Sequence, residues 1–169
     1  MIKDHLRDKE YYNIVKDIVD NKEFLKLSNI IHHECNRFDH SIRVSYWSYK
    51  VSKMIKLDYK KIARAALLHD FFLEETHYSD YKTRINTMLK HPTYALENAK
   101  KYYQLSELEE DIILTHMFPI VPRLPKYFES WMVDLVDDIV AVYEKTYVIR
   151  KQLSAAASFV MIFILNYIR

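Results

Sequence analysis

The stretch ARAALLHDFFLEE, residues 63–75, sets His69 and Asp70 side by side inside an otherwise apolar run. A carboxylate in such a setting is costly unless it is paired, hydrogen-bonded or bound to a metal ion. Four further residues of metal-ligating type fall on apolar faces or helix ends: His40, His91, His116 and Asp137. An imidazole-rich set with two carboxylates suits Fe, Mn, Zn, Co or Ni better than Ca or Mg. Six ligands exceed the three that a tetrahedral catalytic site takes from the protein. They are about right for two divalent transition metal ions, against one, with a shared carboxylate and open positions for water and substrate.

Each residue also has an ordinary reading. A lone histidine on an apolar face is more often a hydrogen-bonded core residue. Asp137 alone could pair with an arginine such as Arg64, and Asp70 alone could cap or bridge helices. One metal site accounts for all six residues, whereas the ordinary reading needs six separate explanations.

Helical periodicity distributes the six over five successive helices. The first runs from about His40 to Lys56, with His40, Val44, Trp47, Val51 and Met54 at steps of four and three. The next starts at Asp58, a good N-cap type. It carries Ile62, Ala66, His69 and Leu73 on one stripe and Ala63, Leu67 and Asp70 beside it, so both members of the pair point inward. Residues 76–90 are polar and aperiodic and read as a loop with a short helix. A helix then opens at His91, because proline, here Pro92, is favoured at the first helical position.

Ser106 and Glu109 have capping-box spacing at the start of a helix that ends near His116. FPIVPRLPKY holds three of the four prolines and reads as a loop. In the following helix, about 127–144, Asp137 lies between Val133 and Val140 on the apolar face. Asp134 and Asp138 lie with Ser130 and Lys145 on the polar face, so only Asp137 is expected inward. Residues 9–28 form a lead helix or two. The fold class expected is all-α, a single globular helical bundle. It divides into an N-terminal helical extension (1–29), a site-bearing domain (30–145) and an apolar helix (146–169) that packs on the domain or at an oligomer interface.

Composition narrows the function. The chain has no glycine, which excludes a P-loop, a GxGxxG turn, a GxSxG elbow and an EF-hand loop. The net charge of +2 is made of interspersed signs, with no stripe for nucleic acid. A single cysteine, Cys35, allows no internal disulfide and no CxxC motif. MIKDHLRDKE has no apolar core of a secretory signal, and a cytoplasmic location is expected. AAASFVMIFILNYI, residues 155–168, falls short of the roughly 20 residues of a bilayer span. A homodimer through this segment is compatible with the pattern. Cys35 stands near His32 and His33 and could form a Cys–His pair, although a small buried residue is the ordinary reading.

The segment FDHSIRVSYWSYKVSKMIKLDYKKIARAALLHDFFLEE resembles the opening of the HD-domain superfamily of metal-dependent phosphohydrolases. The signature of that superfamily is a His, a His-Asp doublet about thirty residues on, and a distant Asp. His40, His69–Asp70 and Asp137 match it. His91 in KHPTYALENAKKYY and His116 in DIILTHMFP match the two extra histidines of its binuclear branch, which includes cyclic-nucleotide and cyclic-dinucleotide phosphodiesterases and diadenosine-tetraphosphate hydrolases. The chain is also similar to small bacterial HD-domain proteins that share the LLHDFFL, HP..AL.NA and HM.P elements. The resemblance covers roughly residues 30–145.

It implies an HD-domain-like bundle that hydrolyses a phosphomonoester or phosphodiester, with a nucleotide-type small molecule as substrate. Asp70 would bridge two ions, with His40, His69 and Asp137 on one and His91 and His116 on the other. A water acidified by the ions would attack phosphorus, with Asp70 and His69 at the catalytic centre. The chain departs from members in which a glycine or lysine closely follows the doublet, since HDFFLEE supplies neither. Phosphate contacts are then expected from Arg123, Lys126 and Arg84, while His33 and His77 could line the pocket or donate a proton. The same cage could serve a di-iron oxygenase, a ligand-binding or regulatory protein without catalysis, or a purely structural helical protein.

Overall fold

The major helices before residue 128 each start where a short polar side chain can take up orphan backbone N–H groups. A computed structural model of the chain describes residues 2–32, 35–73 and 80–167, with side chains for 4–30, 35–73 and 80–147. His33 and His77 lie outside the described residues, as do the side chains needed for a Cys35–His32 or Cys35–His33 pair. The elements are α1 (Ile2–His5), α2 (Lys9–Val19), α3 (Lys22–Leu25), a 3₁₀ turn (Lys26–Asn29), β1 (Ile31–His32), β2 (Cys35–Asn36), α4 (Arg37–Met54), α5 (Tyr59–Leu68), α6 (Tyr81–Tyr102), α7 (Glu107–Thr115) and α8 (Phe128–Tyr167). The strands form one two-residue antiparallel ladder, and the fold is all-α.

Caps fix the helix starts. Asp8, Asn21, Asn36, Asp58 and Asp80 each accept a backbone N–H from the first turn that follows. The capping box of α7 is present, with the Ser106 backbone N–H donating to Glu109 at 2.8 Å. The end of α4 carries the consequence of a sequence without glycine. Leu57 N–H reaches Ser52 O at 2.9 Å and Lys56 N–H reaches Lys53 O at 3.3 Å, the pattern of a Schellman cap. Lys56 therefore holds a left-handed φ of 62° in the place that glycine usually takes.

The buried face of α4 is rotated away from the apolar stripe read from the sequence. Trp47 is half-exposed and Met54 exposed, whereas Ser41, Ser45, Ser48 and Ser52 are fully buried. Small side chains let α4 come close to the alanine-rich face of α5. There Ser45 Oγ donates to Ala63 O at 2.6 Å and accepts from the Tyr11 hydroxyl at 2.9 Å. Close packing of these small side chains, with the Ser45 and Ser52 hydroxyls hydrogen-bonded, thus takes the place of burying two large side chains, while the Ser41 and Ser48 hydroxyls are buried without a partner among the described residues. Ile42, Val44, Ile62, Leu67, Leu68, Phe71 and Ile112 continue the core towards α2 and α7.

Two further expectations change. Helix α6 begins at Tyr81, so Pro92 lies inside it and His91 is in mid-helix. Asp80 supplies the cap that the polar 76–90 stretch concealed, its carboxylate accepting the Thr83 N–H at 2.8 Å. On α8, Ser130 and Asp134 are buried rather than solvated. Asp111 Oδ2 explains Ser130, since it accepts the Ser130 hydroxyl at 2.7 Å and the Lys126 N–H at 2.9 Å. This ties the proline-rich loop and the start of α8 to α7. Among the described residues, no helix is long and apolar enough to cross a membrane.

Candidate metal centre

Four histidines use the same device, in which Nδ1 is occupied outside the cluster and Nε2 faces its centre. His69 is the C-cap of α5, and its Nδ1 donates to Ala66 O at 2.7 Å. His116 is the C-cap of α7, and its Nδ1 donates to Ile113 O at 2.8 Å. Both carbonyls are among the last four of their helices, which have no intrahelical N–H to accept. His91 Nδ1 donates to Met88 O at 2.7 Å, the carbonyl four residues before Pro92, and proline has no N–H to give. A carbonyl only accepts, so in its neutral form each of these rings carries its proton on Nδ1 and presents a lone pair at Nε2. His40 Nδ1 faces Glu144 Oε2 at 3.0 Å, and its Nε2 faces Asp137 Oδ1 at 2.9 Å.

The inward atoms converge on Asp70. Its Oδ1 lies 3.3 Å from His91 Nε2 and 3.7 Å from His116 Nε2, and its Oδ2 lies 3.9 Å from His69 Nε2. His69 Nε2 is also 3.7 Å from Asp137 Oδ1. Two overlapping triads result, His40–His69–Asp137 and His69–Asp70–His116, whose donor atoms lie within 4.8 Å of one another. Atoms each bound about 2.0–2.2 Å from one ion lie roughly 3.0–3.6 Å apart, so these spacings are close to those of a ligand shell.

Two observations show that the residues fit a divalent cation. His91 Nε2 and His116 Nε2 are 2.9 Å apart with both Nδ1 protons committed elsewhere, so their lone pairs oppose each other unless an electron-poor centre lies between them. Among the described residues His69 Nε2 is buried without a hydrogen-bond partner, a state that costs about 1–3 kcal/mol. A cation at the cluster relieves both. The C-terminal ends of α5 and α7 meet here as well, and their partial negative charge favours a cation.

Charge is distributed unevenly. Burial alone would push the His40 imidazole down, but its hydrogen bonds to Asp137 and Glu144 prevail and raise it to about 10. Burial, with His69 and His91 alongside, pushes His116 down to about 3 and keeps it neutral. Burial would raise Asp137, yet His69 and His40 hold it well below the carboxylate range. Glu144 resists its own burial in the same way and is brought down to about 2 by His40 and Arg43. Burial, with Asp138 and Asp137 nearby, lifts Asp134 to about 7. The Cys35 thiol is pushed up to about 12 by burial and by Glu144, so it is no thiolate at neutral pH.

Residues 37–145 match the family model of the HD domain. The chain belongs to the HD-domain family. No curated protein and no solved structure matches it. HD domains bind divalent metals, and this HD-domain chain carries His/Asp clusters of the kind described above.

The structure thus brings together His40, His69, Asp70, His91, His116 and Asp137. Among the described residues Arg84, Arg123 and Lys126, expected on the substrate phosphate, make no direct hydrogen bond or ion pair with the cluster. All three side chains are exposed. Arg64, the alternative partner for Asp137, instead holds Asp17 in a two-pronged pair at 2.6 and 2.9 Å.

Two residues of the HD-domain site escaped the sequence reading. Arg37 is fully buried, with Nε 4.0 Å from Asp70 Oδ2 and Nη1 donating to Phe72 O. Its guanidinium lies 3.5 Å over the Phe72 ring, which itself stacks on His91 at 5.0 Å. Phe72 therefore supports the site by packing between Arg37 and His91. Glu144 is the second, set against His40 and paired with Arg43. The signals were present: Arg37 is three residues before His40, and Glu144 is seven after Asp137, each on the face of its neighbour.

Proposed function

We propose that this HD-domain chain is a metal-dependent phosphohydrolase that cleaves a phosphomonoester or phosphodiester of a nucleotide-type small molecule. The observation that supports it is the convergence of His69, His91 and His116 on Asp70, each ring with its Nδ1 tied to a helix carbonyl. In this reading His40, His69 and Asp137 would hold one divalent ion and His91 and His116 a second, with Asp70 as the carboxylate common to both sets. Bound there, the ions supply an acidified water and neutralise charge on the phosphoryl oxygens.

The chain's own part is positioning. Asp70 presents Oδ1 to His91 and His116 and Oδ2 to His69 and Arg37, so one carboxylate addresses both sides of the cluster. The carbonyls of Ala66, Met88 and Ile113 fix the ring orientations before any ligand arrives, an arrangement that strengthens metal binding. Glu144 does the same for His40. Arg123 and Lys126, in the loop that follows His116, and Arg84, in the first turn of α6, are assigned to the substrate phosphate because they are exposed cations.

Elemental analysis of the purified chain tests the proposal, followed by a screen of nucleotides and phosphodiesters with added Mn²⁺. More than one transition metal ion per chain is expected, with phosphate-ester turnover that collapses in Asp70→Ala and in Asp70→Asn while the helical circular dichroism persists. A chain that takes up no metal, or an Asp70→Asn variant with undiminished turnover, overturns it. Oxygen consumption by the iron-loaded chain without phosphate release assigns the cage to an oxygenase instead.

A further inference from the structure

Helix α8 has two opposed faces. Val133, Asp137, Val140 and Glu144, at steps of four, three and four, turn towards the domain, and the two valines are 0% and 5% exposed. On the far side Phe128, Leu135, Ile139 and Val142 are 65%, 59%, 59% and 61% exposed. Their steps of seven, four and three are those of a coiled-coil seam. The sequence continues this register through Ile149, Leu153, Ala156, Val160 and Phe163, with Thr146 as its polar member. An apolar heptad sustained over more than four repeats on one helix calls for a partner helix.

That partner cannot be the chain's own C-terminal segment. Phe128–Tyr167 is one continuous helix of 40 residues, about 60 Å long, and a continuous helix cannot double back over its first half. We infer that a second copy of this chain covers the seam, α8 against α8 about a two-fold axis. A seam of this kind is self-complementary, which a two-fold contact requires. The domain is attached to the opposite flank of the helix, so two domains fit on the outside of the pair without collision. A strip about 10–12 Å wide along a helix of about 60 Å offers roughly 600–700 Å² per chain. Doubled, that reaches the lower end of the roughly 1,200–2,000 Å² found in stable interfaces.

Sedimentation velocity of the full chain at micromolar concentration reads the assembly state. The unaltered chain is expected at twice the chain mass. The double substitution Ile139→Glu with Val142→Glu touches only exposed positions, so its circular dichroism should be unchanged, and it is expected at the single-chain mass. Ile139→Leu with Val142→Leu should leave the dimer intact. A single-chain mass for the unaltered chain, or a dimer that survives the glutamate pair, overturns the inference. So does an unaltered chain that is monomeric and sediments with phosphatidylcholine–phosphatidylglycerol vesicles, which would make the seam a lipid-facing surface.

Discussion

His91 donates from Nδ1 to the Met88 carbonyl across 2.7 Å, at the point in α6 where Pro92 withholds the backbone N–H. A proline inside a helix costs about 3 kcal/mol because it removes that hydrogen bond and crowds the carbonyl four residues back. Here the exposed carbonyl becomes the anchor that sets the tautomer of a candidate ligand. At His69 and His116 the end of a helix provides the free carbonyl, and in mid-helix proline provides it.

Pro92→Ala should therefore move stability and metal affinity in opposite directions. Relief of the interior-proline penalty, less two buried methylenes at about 0.8 kcal/mol each, leaves a gain of about 1 kcal/mol. That corresponds to a Tm about 2–4 °C higher in the presence of chelator. The restored N–H competes with His91 for Met88 O, and affinity for Zn²⁺ or Mn²⁺ should fall roughly 10–100-fold. Thermal melts and competitive metal titrations on the same samples check both signs.

The Glu144–His40 contact sets a pH window for the metal-free chain. Glu144 has its pKa lowered to about 2, so its contribution is fully present above about 4.5 and is lost as pH falls through about 2. His40 has its pKa raised to about 10, so its contribution is fully present below about 6.5 and is lost as pH rises through about 10. Glu144→Gln should cost roughly 1.5–3 kcal/mol between pH 4.5 and 6.5, the range for a hydrogen bond to a charged group. The difference from the unaltered chain should shrink on both sides of that window. Urea unfolding in chelator across the pH range measures it.

Lys56→Gly should stabilise the chain. Lys56 is exposed and holds φ at 62°, a conformation that costs a residue with a Cβ about 1–2 kcal/mol. Glycine gives back part of this through its freer unfolded state. A net gain of about 0.5–1 kcal/mol is expected, read as a higher urea midpoint with an unchanged slope. Metal uptake should not change.

Much of the site was legible in the linear order of residues, for a physical reason. His69, Asp70 and Asp137 sit on helices whose periodicity marks the inward face, and each of His69, His91 and His116 has its Nδ1 acceptor three residues back in its own helix. Caps at Asp58 and Ser106 are equally local. Those features depend only on neighbours in sequence.

What the sequence left undecided depends on contacts between distant segments. Which of two competing faces α4 buries was settled by the serines of α4 meeting the alanines of α5, and hydropathy alone points to Trp47 and Met54. Ser130 is buried because Asp111, far back on α7, draws the start of α8 against it. Arg37 reaches Asp70 across 33 positions and Glu144 reaches His40 across 104, distances over which no periodicity carries information. Residue type and helical spacing determined which side chains could form the centre. Only the packing of α4, α5, α7 and α8 decided which charges surround it.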